Sequence, residues 1–154
     1  MTVTATTPGP GIVQLTLSDA QRRNPLGLST LASLRTELAQ AVSRGARVVL
    51  LAADGPVFSA GADLNDLTGT TDDERYDDAV TALTAEITGA PIPVVAAIDG
   101  ACIGAAVDLV LACDLLVLAR SAYLQIPAAR LGILYNPDAL ARLHRRLPAS
   151  ALRA

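Results

Sequence analysis

Apolar and polar positions alternate over residues 12–17, where Ile12, Val13, Leu15 and Leu17 are apolar, and the alternation predicts an early strand. Over residues 29–43 the period lengthens. Leu31, Leu34, Leu38 and Val42 fall on one helical face, and Gly45 supplies a left-handed stop. Residues 48–52 (VVLLA) form a short apolar run of strand length. A second helix is marked by Tyr76, Val80, Leu83 and Ile87, with Asp72, Asp73 and Glu74 near its start and Gly89 and Pro91 beyond its end. The longest apolar stretch, residues 91–119, parses as a buried strand (94–98), a glycine-punctuated turn (99–104), an apolar helix (105–112) and a second buried strand (115–118). Strand-length runs that stay apolar imply cover on both faces, which selects an α/β layer structure. A short strand at 123–126 ends at Pro127. Asn136-Pro137-Asp138 then opens a last helix with an Asn cap, Pro in the first helical position and an acid in the first turn. The Thr/Pro/Gly-rich residues 1–11 read as a frayed, flexible end. No internal repeat or linker interrupts the rest, so residues 1–154 are expected to form one domain.

Composition narrows the classes. With 51% hydrophobic but only 3% aromatic residues, alanine, leucine and valine must fill the core. A net charge of −3 and no basic, aromatic-interleaved patch argue against nucleic acid as a partner. The mean hydropathy of +0.41 raises the question of a membrane. Asp99, Asp108 and Asp114 interrupt the one long apolar stretch, so no membrane span is expected. The N-terminus has neither the basic nor the apolar region of a signal peptide. Cys102 and Cys113 match no metal or disulfide spacing, and reduced thiols in a cytoplasmic protein are the expectation. The chain ends on LPASALRA without a closing element and reads as cut.

Asp108 is the first candidate for chemistry. It sits near the start of a helix that is apolar all round, and an unpaired buried carboxylate costs several kcal/mol or takes up a proton. Two readings stand side by side: a carboxylate stabilised by the helix N-terminus, and an acid/base group beside a ligand at that same end. A dinucleotide fingerprint does not fit, because Gly100 and Gly104 lack the G-x-G spacing. The loop around residues 53–67 (ADGPVFSAGADLNDL) is dense in small residues, which let backbone N–H groups approach a ligand. Arg22 and Arg23 are the nearest thing to a cationic cluster in the front half, and solvated surface charge accounts for them on their own. His144, among Arg142, Arg145 and Arg146, reads as part of a solvated basic face. No metal site is expected.

VFSAGADL at 57–64 and PVVAAIDGACIGAAVDLVLACDLLVLA at 93–119 together resemble the crotonase superfamily, the enoyl-CoA hydratase/isomerase fold. QRRNPLG at 21–27 and PAARLGI at 127–133 fall in the family's order. The resemblance implies an α/β crotonase-like spiral of repeated ββα units, here without the family's C-terminal helical part, and homotrimers or hexamers in the full-length family. It places the backbone N–H groups of Ala62 and Ala105 as the two oxyanion-hole donors for a thioester. Each such donor is worth about 2.7–4 kcal/mol of barrier. Glycine is usual at position 105, so the methyl groups of Ala105 and Ala106 would narrow the pocket. Asp108 takes the place of the first hydratase carboxylate, and CIGAAVDLVLACD at 102–114 is similar to the dienoyl-CoA isomerases, which also carry aspartate there. The second hydratase carboxylate falls on Ala128. The acidic position that serves as nucleophile in chlorobenzoyl-CoA dehalogenases is Asn136, which argues against that chemistry. Adenine and phosphate contacts fall around Ser59 and Ala60 and on Arg22 and Arg23. The resemblance therefore implies an enoyl-CoA hydratase or isomerase acting on an acyl-CoA thioester, with no cofactor beyond the coenzyme A of the substrate. The alternative is a catalytically weakened acyl-CoA binder or assembly subunit of the same fold.

Overall fold

A computed structural model of the chain describes residues 2–68, 73–132 and 134–153. Asp72 and Ile133, which entered the sequence reading, lie outside these residues.

Two strands open the fold, β1 (Val3–Gly9) and β2 (Ile12–Leu17), paired antiparallel. Residues 3–9 are therefore a paired strand, where the sequence predicts a frayed end. Threonine-rich sequence suits a pleated strand, and Val3 is 1% exposed against the core. Helix α1 (Leu28–Ser43) follows and buries Leu31, Leu34, Leu38 and Ala41 along its apolar stripe.

Three ββα passes then succeed one another. The first is β3 (Val48–Ala53), β4 (Val57–Ser59) and α2 (Glu74–Thr88). The second is β5 (Val94–Ile98), β6 (Ala101–Ile103) and α3 (Ala105–Ala112). The third is β7 (Leu115–Leu118), β8 (Tyr123–Gln125) and the single turn α4 (Ala128–Leu131). In each pass the first strand joins a five-stranded sheet of order β1-β2-β3-β5-β7, parallel from β2 onward. The second strand joins a smaller parallel sheet, β4-β6-β8. The short β4 and β6 occupy segments whose sequence predicts a loop and a turn. Successive strand-to-strand turns stack so closely that a Cβ on Gly100, at φ +68°, would lie 2.0 Å from the carbonyl oxygen of Pro56. Glycine is required there.

The last helix, α5 (Pro137–Arg146), begins as its sequence predicts, with the Asn136 side chain accepting from the Asp138 and Ala139 N–H groups. The core lies between the large sheet and α1, α2 and α3, with Leu143 of α5 joining it. Strand β7 departs from expectation. It forms the edge of the large sheet, with Leu115 and Val117 62% and 60% exposed rather than buried. An apolar run reports apolar surroundings only where a neighbouring layer exists, and among the described residues none covers this face. No helix among the described residues is long and apolar enough to cross a membrane.

Candidate active site

The loop after β4 is built around Asn24. This residue is 2% exposed and sits in the left-handed region at φ 52°. Its amide donates to the carbonyls of Asp54 and Val57 at 2.9 Å each, and its Oδ1 accepts the Asp19 N–H at 2.8 Å. Ser59 is fully buried, donates to the Asn24 carbonyl at 2.7 Å and accepts the Gly61 N–H at 3.1 Å. The next residues run beside Leu26, whose N–H donates to the Gly61 carbonyl (2.7 Å) and whose carbonyl accepts from Asp63 N–H (3.4 Å) and the Tyr76 hydroxyl (2.8 Å). Amides alternate sides along an extended chain, so the N–H of Ala62 is turned away from Leu26.

The second backbone element is the start of α3. Gly104 caps it, its N–H bound to the Gln125 carbonyl at 2.8 Å and its own carbonyl accepting the Tyr135 hydroxyl at 3.1 Å. The two elements touch. A Cβ on Gly61, at φ +88°, would stand 2.6 Å from the Ile103 carbonyl oxygen and 3.4 Å from the Ala105 nitrogen. Among the described residues, the N–H groups of Ala62 and Ala105 donate to no protein acceptor. Both residues line one cavity of about 260 Å³, together with Ala60, Ile103 and Asp108. Tyr76, Val80, Ile126, Ala128, Leu131 and Tyr135 complete much of an apolar wall. Another hollow, of about 230 Å³ between the β1–β2 ribbon and the end of α1, holds none of these groups.

Asp108 lies in the first turn of α3 and is 3% exposed. Its burial is answered in a way the sequence reading did not foresee: Oδ1 accepts Nε of Arg142 at 2.6 Å, and Nη2 of Arg142 donates to the buried Thr84 hydroxyl at 2.9 Å. Desolvation raises the carboxyl above its ordinary value, the Arg142 hydrogen bond and charge oppose that rise, and Asp138 adds to it. Arg142 is thus no part of a solvated basic face. Arg146, one turn on, donates to the carbonyls of Leu111 and Cys113 at the end of α3. The expectation of a solvated face holds for His144 and Arg145, which are exposed. The clue lay in the spacing, because Arg142 and Arg146 share a helical stripe with the buried Ala139 and Leu143.

The remaining predicted residues divide. Ala60 reaches the cavity wall, while Ser59 is spent on holding the loop, and Arg22 and Arg23 do not line the cavity. Arg22 is paired with Asp63 at 2.7 Å, and Arg23, left-handed at φ 63°, serves the loop by accepting the Ala60 N–H on its carbonyl at 2.8 Å. Ala106 is fully buried, so its methyl group packs into the core instead of narrowing the pocket. A carboxyl the sequence reading passed over, Asp77 of α2, also borders the cavity. Its value is raised by burial, then by Asp78 and Asp73, against a lowering hydrogen bond from Asn136.

The fold and site define a class: a stacked series of ββα passes whose strand ends present free amides to an apolar pocket containing one buried carboxyl among the described residues. The family model for enoyl-CoA hydratase/isomerase matches residues 8–154, and the chain belongs to that family. It is 33% identical over 150 residues to the mitochondrial enoyl-CoA hydratase domain-containing protein 3 of Rattus norvegicus, covering 95% of this chain and 50% of that protein. It is 34% identical over 146 residues to the mitochondrial enoyl-CoA hydratase domain-containing protein 2 of Mus musculus, covering 92% and 49%. The crystal structure of human enoyl-CoA hydratase domain-containing protein 3 superposes with TM-score 0.89 at 28% identity, over 98% of this chain and 60% of that one. An enoyl-CoA hydratase from Bacillus anthracis superposes with TM-score 0.84 at 31% identity, over 94% and 58%. The chain spans about half the length of the curated relatives it matches.

Proposed function

We propose that this chain forms the core of an acyl-CoA enzyme of the enoyl-CoA hydratase/isomerase type. The observation that carries the reading is the pair of unused N–H groups, on Ala62 and Ala105, at the wall of the cavity that Asp108 also borders. A thioester oxygen held between two such donors gains negative charge as the α-carbon becomes enolate-like. Fixed dipoles in a dry pocket stabilise that charge without reorganising. Ala105 adds the field of the α3 N-terminus. Asp108 takes the α-proton and returns it.

Proton counting favours a double-bond shift over hydration. An isomerase needs one carboxyl that removes a proton from one carbon and delivers it to another, whereas hydration is most readily divided between two. A methyl group, on Ala128, stands at the expected second position and borders the same cavity. The weakened-binder reading draws on Ala128 and on the Asp108–Arg142 pair, which lowers the basicity of the remaining carboxyl. The apolar face of β7 suits assembly into homotrimers or hexamers, and the free Cys102 and Cys113 suit the cytoplasm.

The test is turnover of trans-2- and trans-3-enoyl-CoA substrates, with acyl-CoA affinity measured by calorimetry. Asp108→Asn is expected to lower turnover by about 10²–10⁴-fold while the affinity stays within a few fold. Binding without turnover in the unmutated chain selects the weakened binder, and absence of binding ends the acyl-CoA reading.

A further inference from the structure

We propose that Arg142 is the positioning residue of this site, tying down one oxygen of Asp108 so that the other alone handles the proton. The identity of the reaction rests on the reading above, and the geometry stands apart from it. Oδ1 is held by Nε of Arg142 at 2.6 Å, and Nη2 of the same guanidinium is held by Thr84 of α2 at 2.9 Å. The arginine and aspartate side chains are only 14% and 5% exposed. Oδ2 of Asp108 has no protein hydrogen bond, yet among the described residues no buried side-chain oxygen lacks a partner. Oδ2 is therefore the oxygen that still meets the cavity.

This arrangement settles two properties at once. The guanidinium, held by Asp108 and Thr84 at once, keeps its Nε–H aimed at Oδ1 and so favours one orientation of the carboxyl, which a flexible lysine ammonium would hold less well. Its charge also offsets the desolvation that would otherwise keep a buried carboxyl protonated and unable to accept a proton. The groups facing Asp108 come from every side. Arg142 and Asp138 lie on α5 and Tyr135 in the segment before it, while α2 brings Thr84 and, farther along the cavity, Asp77. Beneath Tyr135, β6 contributes the buried thiol of Cys102. Arg142 is the cation among them.

Carbon-13 NMR of carboxyl-labelled aspartate, assigned by the resonance lost in Asp108→Asn, follows the carboxyl directly. The pH dependence of kcat follows it in turnover. Arg142→Gln removes the charge but keeps a donor. It is expected to move the Asp108 midpoint and the acidic limb of the kcat profile together to higher pH. We expect kcat to fall about a hundredfold, with KM changed far less. Arg142→Lys restores part of both. A midpoint that stays where it is in folded Arg142→Gln overturns the proposal. Should that variant not fold, Thr84→Val decides. It frees the guanidinium without removing it, so kcat falls while the midpoint stays near that of the unmutated chain, and an unchanged kcat overturns the proposal. A chain that turns over no enoyl-CoA sinks the functional reading instead, and the carboxyl titration still shows whether Arg142 governs Asp108.

Discussion

Asn24 holds the loop that runs from β4 to Ala62 by satisfying three backbone groups from a left-handed conformation. Alanine there would strand buried donors and acceptors and add the cost of positive φ. Each unsatisfied group costs about 1–3 kcal/mol, so Asn24→Ala is expected to destabilise the chain by about 2–4 kcal/mol in urea unfolding. Asn24→Gly loses the same hydrogen bonds without the backbone strain and is expected to fall short of that loss by about 1 kcal/mol. None of this was legible beforehand, because an asparagine in a polar loop looks like any turn residue until its partners at positions 54 and 57 are known. Asp108 was legible as an anomaly, since a carboxylate inside an apolar helix demands an explanation. Which explanation holds depended on α5, some thirty residues away in sequence. Its raised value sets a sign for stability. The folded chain binds this proton more tightly than the unfolded one, so the carboxyl costs nothing below the unfolded carboxylate range. The cost appears as pH rises through the folded value. Relative to Asp108→Asn, the unmutated chain is therefore expected to lose stability as pH rises above the ordinary carboxylate range, near about 4, read from paired urea curves. A difference that stays flat with pH would remove desolvation as the dominant influence on this group.

Elements were read best where one period ran long enough. Helix α1 and strands β2, β3 and β5 fell where alternation and helical spacing placed them, because their packing partners are uniformly apolar. Strands β4 and β6 went unread. Each is three residues long and lies beside glycine, so local pattern is weak and the strand exists through pairing with its neighbour in the small sheet. These short strands are what deliver Ala62 and Ala105 to each other. Gly61 is the contact point, and a methyl group there would meet the Ile103 carbonyl oxygen at 2.6 Å. Gly61→Ala must push the loop off α3, separating the two amides. On the proposed function, losing one such donor costs about 10²–10³-fold in kcat, and Gly61→Ala is expected to show a loss of that order with little change in far-ultraviolet circular dichroism. The α5 helix makes the complementary point. Its cap was plain in the sequence, yet the destination of its arginines required knowing that α3 ends beneath them. Arg146→Met, which removes the donors to the Leu111 and Cys113 carbonyls, is expected to cost about 1–2 kcal/mol in unfolding free energy.

At the scale of the whole molecule, the repeat that organises the fold is faint in the amino-acid sequence, surviving mainly as the Asp-Gly turns at 54–55 and 99–100 after apolar strands. The passes at β3–β4, β5–β6 and β7–β8 share a path, an apolar strand, a tight turn and a shorter strand, while their side chains differ with what each packs against. Each pass covers the one before it, as the parallel pairing of β3 with β5 and of β5 with β7 shows. The last pass has no successor among the described residues, which leaves β7 at an edge with apolar side chains outward. Leu115 and Val117 are two residues apart and share one face of the strand, both more than half exposed. Exposed apolar edge strands pair with other chains, and a lysine on such an edge opposes that pairing by forcing a charge into the contact. Val117→Lys is therefore expected to lower concentration-dependent self-association in sedimentation velocity while leaving the thermal midpoint of the dilute protein nearly unchanged. Ser33→Lys, on the exposed face of α1, is the matching control for net charge, and it should leave association as it was. If both substitutions reduce association equally, the effect is bulk charge and β7 is not the sticky edge. If only Val117→Lys does, the uncovered face of the third pass is where another layer belongs.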